Sequence, residues 1–175
     1  MNKSFTGENV SFFLRLSKKL VPLILILIFG FFRINFGRAF SGDFENYKIH
    51  FSILLIICFV IGVYYNVDKT RTVVNKIIFS ENDIQIIGQD FTTKYNDILN
   101  INKTKIEIQE EQLGKNKTRL CLEIYSEDKY YYLNKINNWQ YSTLAQIVDE
   151  YNLKTGKEVK QIELYQQLKE TRKKG

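Results

Sequence analysis

The sequence predicts an α+β protein in which a two-helix transmembrane hairpin precedes an antiparallel β-sheet closed by one C-terminal α-helix. Two apolar runs early in the chain predict the hairpin, alternating apolar and polar residues after about residue 70 predict the strands, and a helical period near the end predicts the closing helix. The mean hydropathy of -0.23 averages the apolar runs with a remainder rich in Lys, Glu and Asn. The mean hydropathy therefore does not reveal the membrane-spanning segments that we expect.

The two apolar runs are predicted to cross a bilayer at about 20–36 and 49–65. A spanning segment must satisfy its own backbone hydrogen bonds, and two isolated runs cannot close a barrel, so both must be helices. The second run has no ionised residue, and its length of roughly 25 Å is tolerable in a core about 30 Å thick. The first run must include Arg33, whose cost of roughly 2.5 to 3.5 kcal/mol is outweighed by about ten apolar residues that each return about 0.3 to 0.6 kcal/mol.

Two alternatives to a hairpin stay open on the sequence. A secretory signal peptide would also place Lys18 and Lys19 before an apolar core, but stretch 30–35 offers bulky side chains where a cleavage site needs small ones. Apolar runs of this length can also be buried core helices of a soluble protein. We favour the membrane because both runs are apolar all round and lie close together in a short chain.

The distribution of cations predicts the orientation of the hairpin. Most of these cations lie on the outer flanks of the two runs: Lys3, Arg15, Lys18, Lys19, Lys69, Arg71 and Lys76. The connection holds fewer cations and several aromatic residues that suit the outer headgroups: Arg33, Arg38, Lys48, Phe36, Phe40, Phe44 and Tyr47. We therefore expect a multi-pass protein of the inner (plasma) membrane, with segment 1–19 and both termini cytoplasmic.

A sheet-rich domain is predicted over 69–153. Its strand-like segments are 72–80, 84–86, 105–109, 119–125 and 130–133. Polar turns separate them, as at 80–83 and 126–129. Five or six short strands at this spacing predict an antiparallel sheet that is curled or barrel-like.

One helix and a basic tail follow the strands. Apolar side chains at helical spacing, among them Trp139, Leu144 and Tyr151, predict a helix with Asn137 or Asn138 as its N-cap. Such a helix would bury the inner face of the sheet, and about 80 residues suffice for one modest core. The final segment, 154–175, is predicted to be a basic and only weakly helical tail.

This layout resembles that of bacterial pleckstrin-homology-like (bacterial PH domain) membrane proteins with two N-terminal transmembrane helices. The resemblance covers roughly 20–153: hairpins that begin just after a membrane segment, an interrupting Tyr-Asn-Asp-Ile at 95–98 followed by Ile101, further strands, and one helix after 130–133. It implies a strongly bent, seven-stranded antiparallel sheet capped by one C-terminal helix, and a role in interaction instead of catalysis. A further strand is then expected near 91–95.

Charge argues against two classes of ligand. The net charge of +6 comes from the membrane flanks and the tail, where cations near an anionic leaflet are worth about 1 kcal/mol each. The 69–153 domain has no cationic excess and its first predicted turn, 80–83, is acidic, which argues against specific phosphoinositide binding. Dispersed charge beside two spans also favours attraction to a membrane over binding to nucleic acid.

No catalytic constellation is apparent in the sequence. The sole histidine, His50, lies at a membrane boundary, and Cys58 and Cys121 are expected to pack as small apolar side chains. One histidine and two cysteines cannot form a four-ligand Cys/His zinc site. Thr-Gly-Lys at 155–157 resembles the end of a phosphate loop but lacks the upstream glycine, and we interpret it as a helix stop.

The remaining clusters have structural interpretations. The carboxylates at 110–111 and 127–128 are expected to be solvated turn residues without acid–base or metal chemistry. The Asn-Lys-Thr sequons at Asn102 and Asn116 are expected to be ordinary turns on the cytoplasmic side. The three tyrosines at 130–132 are expected to pack in the core and across strands. We therefore expect no cofactor, no metal and no enzymatic activity.

The sequence thus predicts an integral membrane protein that presents a cytosolic domain for protein–protein interaction or self-assembly. Its expected partners are the lipid bilayer and either another protein or a second copy of the chain. Two alternatives stay open: a membrane-embedded immunity or stress-response factor in which the hairpin is the working part, and an accessory subunit of a channel or transporter. In the second alternative Arg33 and His50 would face a protein interior.

Overall fold

The chain divides into a helical unit and a sheet unit. A computed structural model describes residues 2–36, 47–115, 117–127, 129–134, 136, 138–157 and 161–170. In chain order its helices and strands are β1 (Lys3–Thr6), α1 (Phe12–Phe36), α2 (Lys48–Arg71), β2 (Thr72–Phe79), β3 (Asp83–Asp90), β4 (Thr93–Asn100), β5 (Thr104–Gly114), β6 (Lys117–Ser126), β7 (Lys129–Leu133), α3 (Tyr141–Thr155) and α4 (Ile162–Glu170). The helical unit is Ser11–Arg71, and the sheet unit is Met1–Val10 together with Thr72–Gly175. The class is therefore α+β.

The strands form two antiparallel sheets where the sequence predicted one. The first sheet has the order β1-β2-β3-β4 and the second has the order β5-β6-β7. A 3-10 turn at Ile101–Lys103, with Ile101 buried, carries the chain from the first sheet to the second. All five strands predicted from alternation form, and β4 begins within the stretch near 91–95 where a further strand was expected.

The N-terminal segment contributes a strand to the sheet unit. β1 pairs with β2 in antiparallel register, with Lys3 opposite Phe79. The Phe5 ring is 5% exposed and meets the Phe79 ring edge-on, with the ring centroids 6.0 Å apart. The Lys3 ammonium donates to the buried carboxylate of Glu150 on α3 at 2.9 Å. Segment 1–19, expected to be separate from the domain, therefore begins inside its core.

A β-bulge in β2 binds the segment that precedes α3. The ladder between β2 and β3 is interrupted just after Val74, whose carbonyl oxygen accepts hydrogen bonds from Trp139 Nε1 at 3.0 Å and Asn138 Nδ2 at 3.1 Å. The N-cap of α3 is Gln140, and its side chain makes no capping hydrogen bond. The predicted cap at Asn138 is wrong because that amide serves the bulge, and Asn137 lies outside the described residues.

Both sheets and both C-terminal helices contribute to one core. Its fully buried apolar side chains include Ile77, Phe79, Ile84, Ile86, Leu122, Ile124, Leu133, Leu144, Ile147 and Leu168. α3 ends at Gly156, whose φ of 66° is the left-handed C-cap conformation, and this confirms the helix stop at 155–157. α4 lies in the segment predicted to be a tail, and its Leu168 belongs to the core.

Within the helical unit, α1 and α2 pack through two glycine–leucine contacts. A Cβ built at Gly30 would lie 3.2 Å from the Leu55 side chain, and one built at Gly62 would lie 3.1 Å from the Leu23 side chain. The order of the contacts reverses between the helices, so the helices run antiparallel. Each helix thus presents a small residue to a leucine of the other at heptad spacing, as closely packed membrane helices do.

Only one helix in the described residues is long and apolar enough to cross a membrane by length and composition, and it is α2. α1 has 25 residues, but it includes four cations: Arg15, Lys18, Lys19 and Arg33. The prediction of two spans is therefore supported for the second run alone. Both helices are also longer than predicted. α1 begins at Phe12 instead of about residue 20, and α2 continues to Arg71 instead of ending at about residue 65, with charged residues in both extensions. The part of the predicted connection at 37–46, with Arg38, Phe40 and Phe44, lies outside the described residues.

Candidate functional site

The helical unit exposes a wide apolar surface. The large apolar side chains away from the glycine–leucine contacts are between 49% and 68% exposed on Leu25, Ile26, Ile28, Phe29, Phe32, Ile53, Leu54, Ile56, Ile57, Val60 and Ile61. A contiguous apolar surface of this kind is rare on a monomer in water and marks a surface that lipid or protein covers.

A buried cation joins the beginning of α1 to the end of α2. Arg15 is 3% exposed, and its guanidinium donates from Nε to the carbonyl oxygen of Thr70 at 3.1 Å and from Nη2 to that of Arg71 at 3.3 Å. The last carbonyls of a helix have no intrahelical partner and lie at the negative end of its dipole. Arg15 therefore has a structural use as a cap of α2.

The other residues that the sequence singled out in the helices are not brought together. Arg33 and His50 both have exposed side chains, and the His50 ring lies 6.3 Å from the ring of Tyr47. Cys58, expected to pack as a small apolar side chain, is exposed on α2.

The outer face of the second sheet carries a cluster that we call the tyrosine–glutamate platform, made of Glu107, Glu123, Tyr125, Tyr130 and Tyr132. The pairing register places Glu107 opposite Glu123, Glu123 opposite Tyr132, and Tyr125 opposite Tyr130. The inner face between these positions is apolar and buried, so the alternation of β6 and β7 directs the platform outward. Tyr130 is its most exposed ring at 52%.

Hydrogen bonds hold the platform in a fixed arrangement. The hydroxyls of Tyr125 and Tyr130 both donate to the Glu123 carboxylate, the Tyr130 bond being 2.6 Å long. The ring of Tyr130 lies 5.1 Å from that of Tyr125 and 6.4 Å from that of Tyr132, each at a tilt. The bond to Glu123 raises the pKa of Tyr125 to about 12, and burial followed by the same carboxylate raises the pKa of Tyr130 further. These phenols therefore stay protonated at neutral pH.

A second surface feature is a cleft of about 240 Å³ between the end of β4 and the β6–β7 turn. It is lined by Ile98, Leu99, Asn100, Lys103, Ser126, Glu127 and Lys129. Lys103 is ion-paired with Glu127 at 2.8 Å, and Lys129 with Asp97 on β4. Because both lysines already have carboxylate partners, the cleft presents little net charge to an anionic ligand.

The remaining sequence-predicted residues have structural environments. Cys121 is fully buried, and burial raises the pKa of its thiol, which disfavours the reactive thiolate. Glu110 is exposed as expected, whereas Glu111 is ion-paired with the buried Arg119. Asn102 is an exposed turn residue whose N–H donates to the Asn100 side chain at 3.0 Å. Asn116 and Asp128 lie outside the described residues.

Of the three tyrosines at 130–132, Tyr131 is buried at 8% exposure and its two neighbours join the platform. The sequence therefore predicted the cross-strand packing of these tyrosines but not the exposed platform that two of them form. The missing information was the register, because the chain alone does not say that Glu107 lies opposite Glu123. The signal available was the period of two that places Glu123 and Tyr125 on one face of a strand, and Tyr130 and Tyr132 on one face of the next.

No group of three or more His, Cys, Asp or Glu side chains in the described residues is arranged to hold a metal ion. Comparison of the chain with protein-family models, with curated proteins and with solved structures finds no significant match. The surfaces described above are therefore the basis on which a function is proposed.

Proposed function

We propose that this is an integral membrane protein in which α1 and α2 both cross the bilayer and hold the sheet unit on the cytoplasmic side of the inner (plasma) membrane. The observation that carries the proposal is the pairing of β1 with β2, because β1 precedes α1 and β2 follows α2 in the chain. A single crossing through α2 would put the two strands on opposite sides of the bilayer. If α2 crosses the bilayer, their hydrogen bonding calls for a second crossing, and we assign that crossing to α1 through its apolar stretch 20–32.

The surface of the helical unit supports this proposal. Its exposed apolar side chains match a hydrocarbon environment, and the glycine–leucine contacts give the close approach that helices use when water does not drive their association. Lys69 lies at the end of α2 with its ammonium 4.6 Å from the centroid of the Tyr65 ring, a pairing suited to the headgroup region. Lys18 and Lys19 are exposed at the start of the apolar part of α1 and can extend toward headgroups.

We further propose that the sheet unit is a pleckstrin-homology-like domain that binds protein, either a partner or a second copy, and catalyses no reaction. Seven described strands in a four-plus-three arrangement followed by α3 support this fold. The tyrosine–glutamate platform supports a binding role, since exposed tyrosines with fixed hydroxyls are typical of protein interfaces.

Labelling with a membrane-impermeant thiol reagent tests the topology. In a Cys58→Ala, Cys121→Ala background, Ser41→Cys in the connection and Lys94→Cys in the sheet unit are compared in intact cells and after permeabilisation. We expect Ser41→Cys to react in intact cells and Lys94→Cys to react only after permeabilisation. Reaction of both positions in intact cells, or extraction of the chain by alkaline carbonate, would contradict the proposal.

Photo-crosslinking in native membranes tests the binding role. A photoreactive residue at Tyr130 on the platform is compared with one at Glu81 in the exposed β2–β3 turn. We expect adducts with another protein or a second copy at Tyr130 and not at Glu81. Adducts of equal yield at both positions, or none at Tyr130, would argue against a specific protein-binding face.

A further inference from the structure

Two rows of side chains on the same face of β5 and β6 differ in charge. In one row Glu111 lies opposite Arg119 and the two form an ion pair. In the other row Glu107 lies opposite Glu123, so two carboxylates occupy directly facing positions. Facing positions lie about 5 Å apart, and like charges there destabilise a sheet. The second row therefore lacks the cation that the first row has.

The chain itself does not supply that cation within the part that the structure describes. Lys105 is the nearest cation on β5, two residues before Glu107 and opposite Tyr125, but it makes no ion pair within 4.0 Å with either carboxylate. Glu123 instead accepts two phenolic hydrogen bonds, which fix the direction of its oxygens without changing its charge. The platform consequently offers two carboxylates, of which Glu123 is held by phenolic hydrogen bonds, and neither is ion-paired within the described residues.

The rings beside these carboxylates select the kind of cation. Tyr125, Tyr130 and Tyr132 form an aromatic wall along Glu123, and tyrosine faces attract ammonium and guanidinium groups. Two carboxylates are few for Ca²⁺, which takes six to eight oxygen ligands. A side-chain cation, by contrast, gains from both the carboxylates and the rings.

We propose that the tyrosine–glutamate platform binds a lysine or arginine side chain in a basic segment of the protein partner. This inference rests on the proposed protein-binding role of the sheet unit. The occupant neutralises the Glu107–Glu123 repulsion and stacks on Tyr130, the most exposed ring. Charge complementarity therefore determines the partner: it presents a basic segment, not an acidic or apolar one.

Fluorescence anisotropy with the full chain in non-ionic detergent tests the proposal. The probe is a short fluorescein-labelled oligo-arginine peptide, and an oligo-glutamate peptide of equal length is the negative control. We expect Glu107→Gln with Glu123→Gln to weaken oligo-arginine binding by about tenfold or more, and Tyr130→Ala by several-fold. The matched control, Glu81→Gln with Asp83→Asn, removes the same charge from the β2–β3 turn and should change the affinity by less than about twofold.

A stability measurement separates loss of the site from loss of the fold. Because Glu107→Gln removes one of two like charges at facing positions, it should raise the thermal unfolding midpoint while it weakens peptide binding. Equal weakening by the matched control, no binding of the peptide, or its displacement by Ca²⁺ beyond the effect of Na⁺ at equal ionic strength would overturn the proposal. These outcomes leave the topology test untouched, and adducts at Tyr130 with an acidic partner would overturn only this inference.

Discussion

The guanidinium of Arg15 closes the C-terminal end of α2 by donating to the backbone carbonyl of Thr70, a hydrogen bond between residues 55 positions apart. Arg15→Met removes this bond and the one to the Arg71 carbonyl, so the two carbonyls at the end of α2 lose the guanidinium as a donor. We expect the free energy of unfolding in detergent to fall by about 2 kcal/mol. The exposed cation Lys18 on the same helix is the control, and Lys18→Met should change it by less than about 0.5 kcal/mol. Equal losses of stability in the two variants would mean that the positive charge, and not the capping of α2, accounts for the effect.

The contact between Gly62 and Leu23 predicts a compensating pair of substitutions. Gly62→Val adds a branched side chain where a single Cβ would already lie 3.1 Å from Leu23, so we expect a loss of about 1 to 3 kcal/mol in the stability of the full chain in detergent. Adding Leu23→Ala should recover part of this loss because it vacates the same space. Losses that simply add, with no recovery in the double variant, would show that the two residues do not share a contact.

Phe5 tests whether the N-terminal strand is integral to the sheet unit. Because its ring is 5% exposed and packs on Phe79, Phe5→Ala should cost about 3 to 5 kcal/mol in the free energy of unfolding. Ile98→Ala, at a side chain that is 67% exposed, is the control and should have little effect. Hydrogen exchange adds a local measurement: the amides of β2 should lose protection in Phe5→Ala. Unchanged protection would show that β1 is dispensable.

Two glycines in the sheet unit should differ in how strongly alanine destabilises the fold. A Cβ at Gly88 would overlap the Tyr95 hydroxyl and the backbone carbonyl of Val73, whereas a Cβ at Gly114 would meet nothing within 4 Å. We expect Gly88→Ala to destabilise the fold by roughly 1 to 3 kcal/mol, and Gly114→Ala by less than about 0.5 kcal/mol. Thermal unfolding of both variants checks the difference. Similar midpoints would contradict the close approach at Gly88.

The platform should show a measurable shift in tyrosine ionisation. The folded-state pKa of Tyr125 is about 12 against a usual 10.0, mainly because its hydroxyl donates to Glu123. Since the pKa is raised, the stability from this bond is complete below pH 10 and is lost as the pH rises through about 12. Tyrosinate absorbance, with Tyr125→Phe to identify the signal, should show Glu123→Gln moving this ionisation toward pH 10. An unshifted titration would mean that the bond does not form.

The hydrophobic periodicity of the sequence predicted most of the helices and strands, because apolar residues recur at the positions that each element buries. The apolar core positions of β2, β6 and α3, such as Ile77, Leu122 and Ile147, alternate or recur as their elements require. β1 escaped this reasoning because four residues with one buried side chain, Phe5, give no period. Its partner also lies beyond the helical unit in the chain, and local pattern carries no information on such distant pairing.

The candidate site was less predictable than the fold, since it depends on register and on competition between hydrogen bonds. Asn138 has the side chain of a helix cap, but the β-bulge at Val74 leaves a carbonyl that the same amide satisfies. Leu168 appears in a charged segment with a weak helical stripe, yet it is fully buried. Glu107 and Glu123 can be recognised as one cluster only when the strand register is known, because the register places them opposite each other.

The position of β1 ahead of α1 has a consequence for biogenesis. The ribosome delivers this strand first, and its hydrogen-bonding partner β2 emerges only after both helices have been synthesised. If the proposed double crossing holds, failure of one helix to insert places β1 and β2 on opposite sides of the membrane. Phe79 then lacks the Phe5 ring that packs on it. Completion of the four-stranded sheet would then depend on the insertion of both helices.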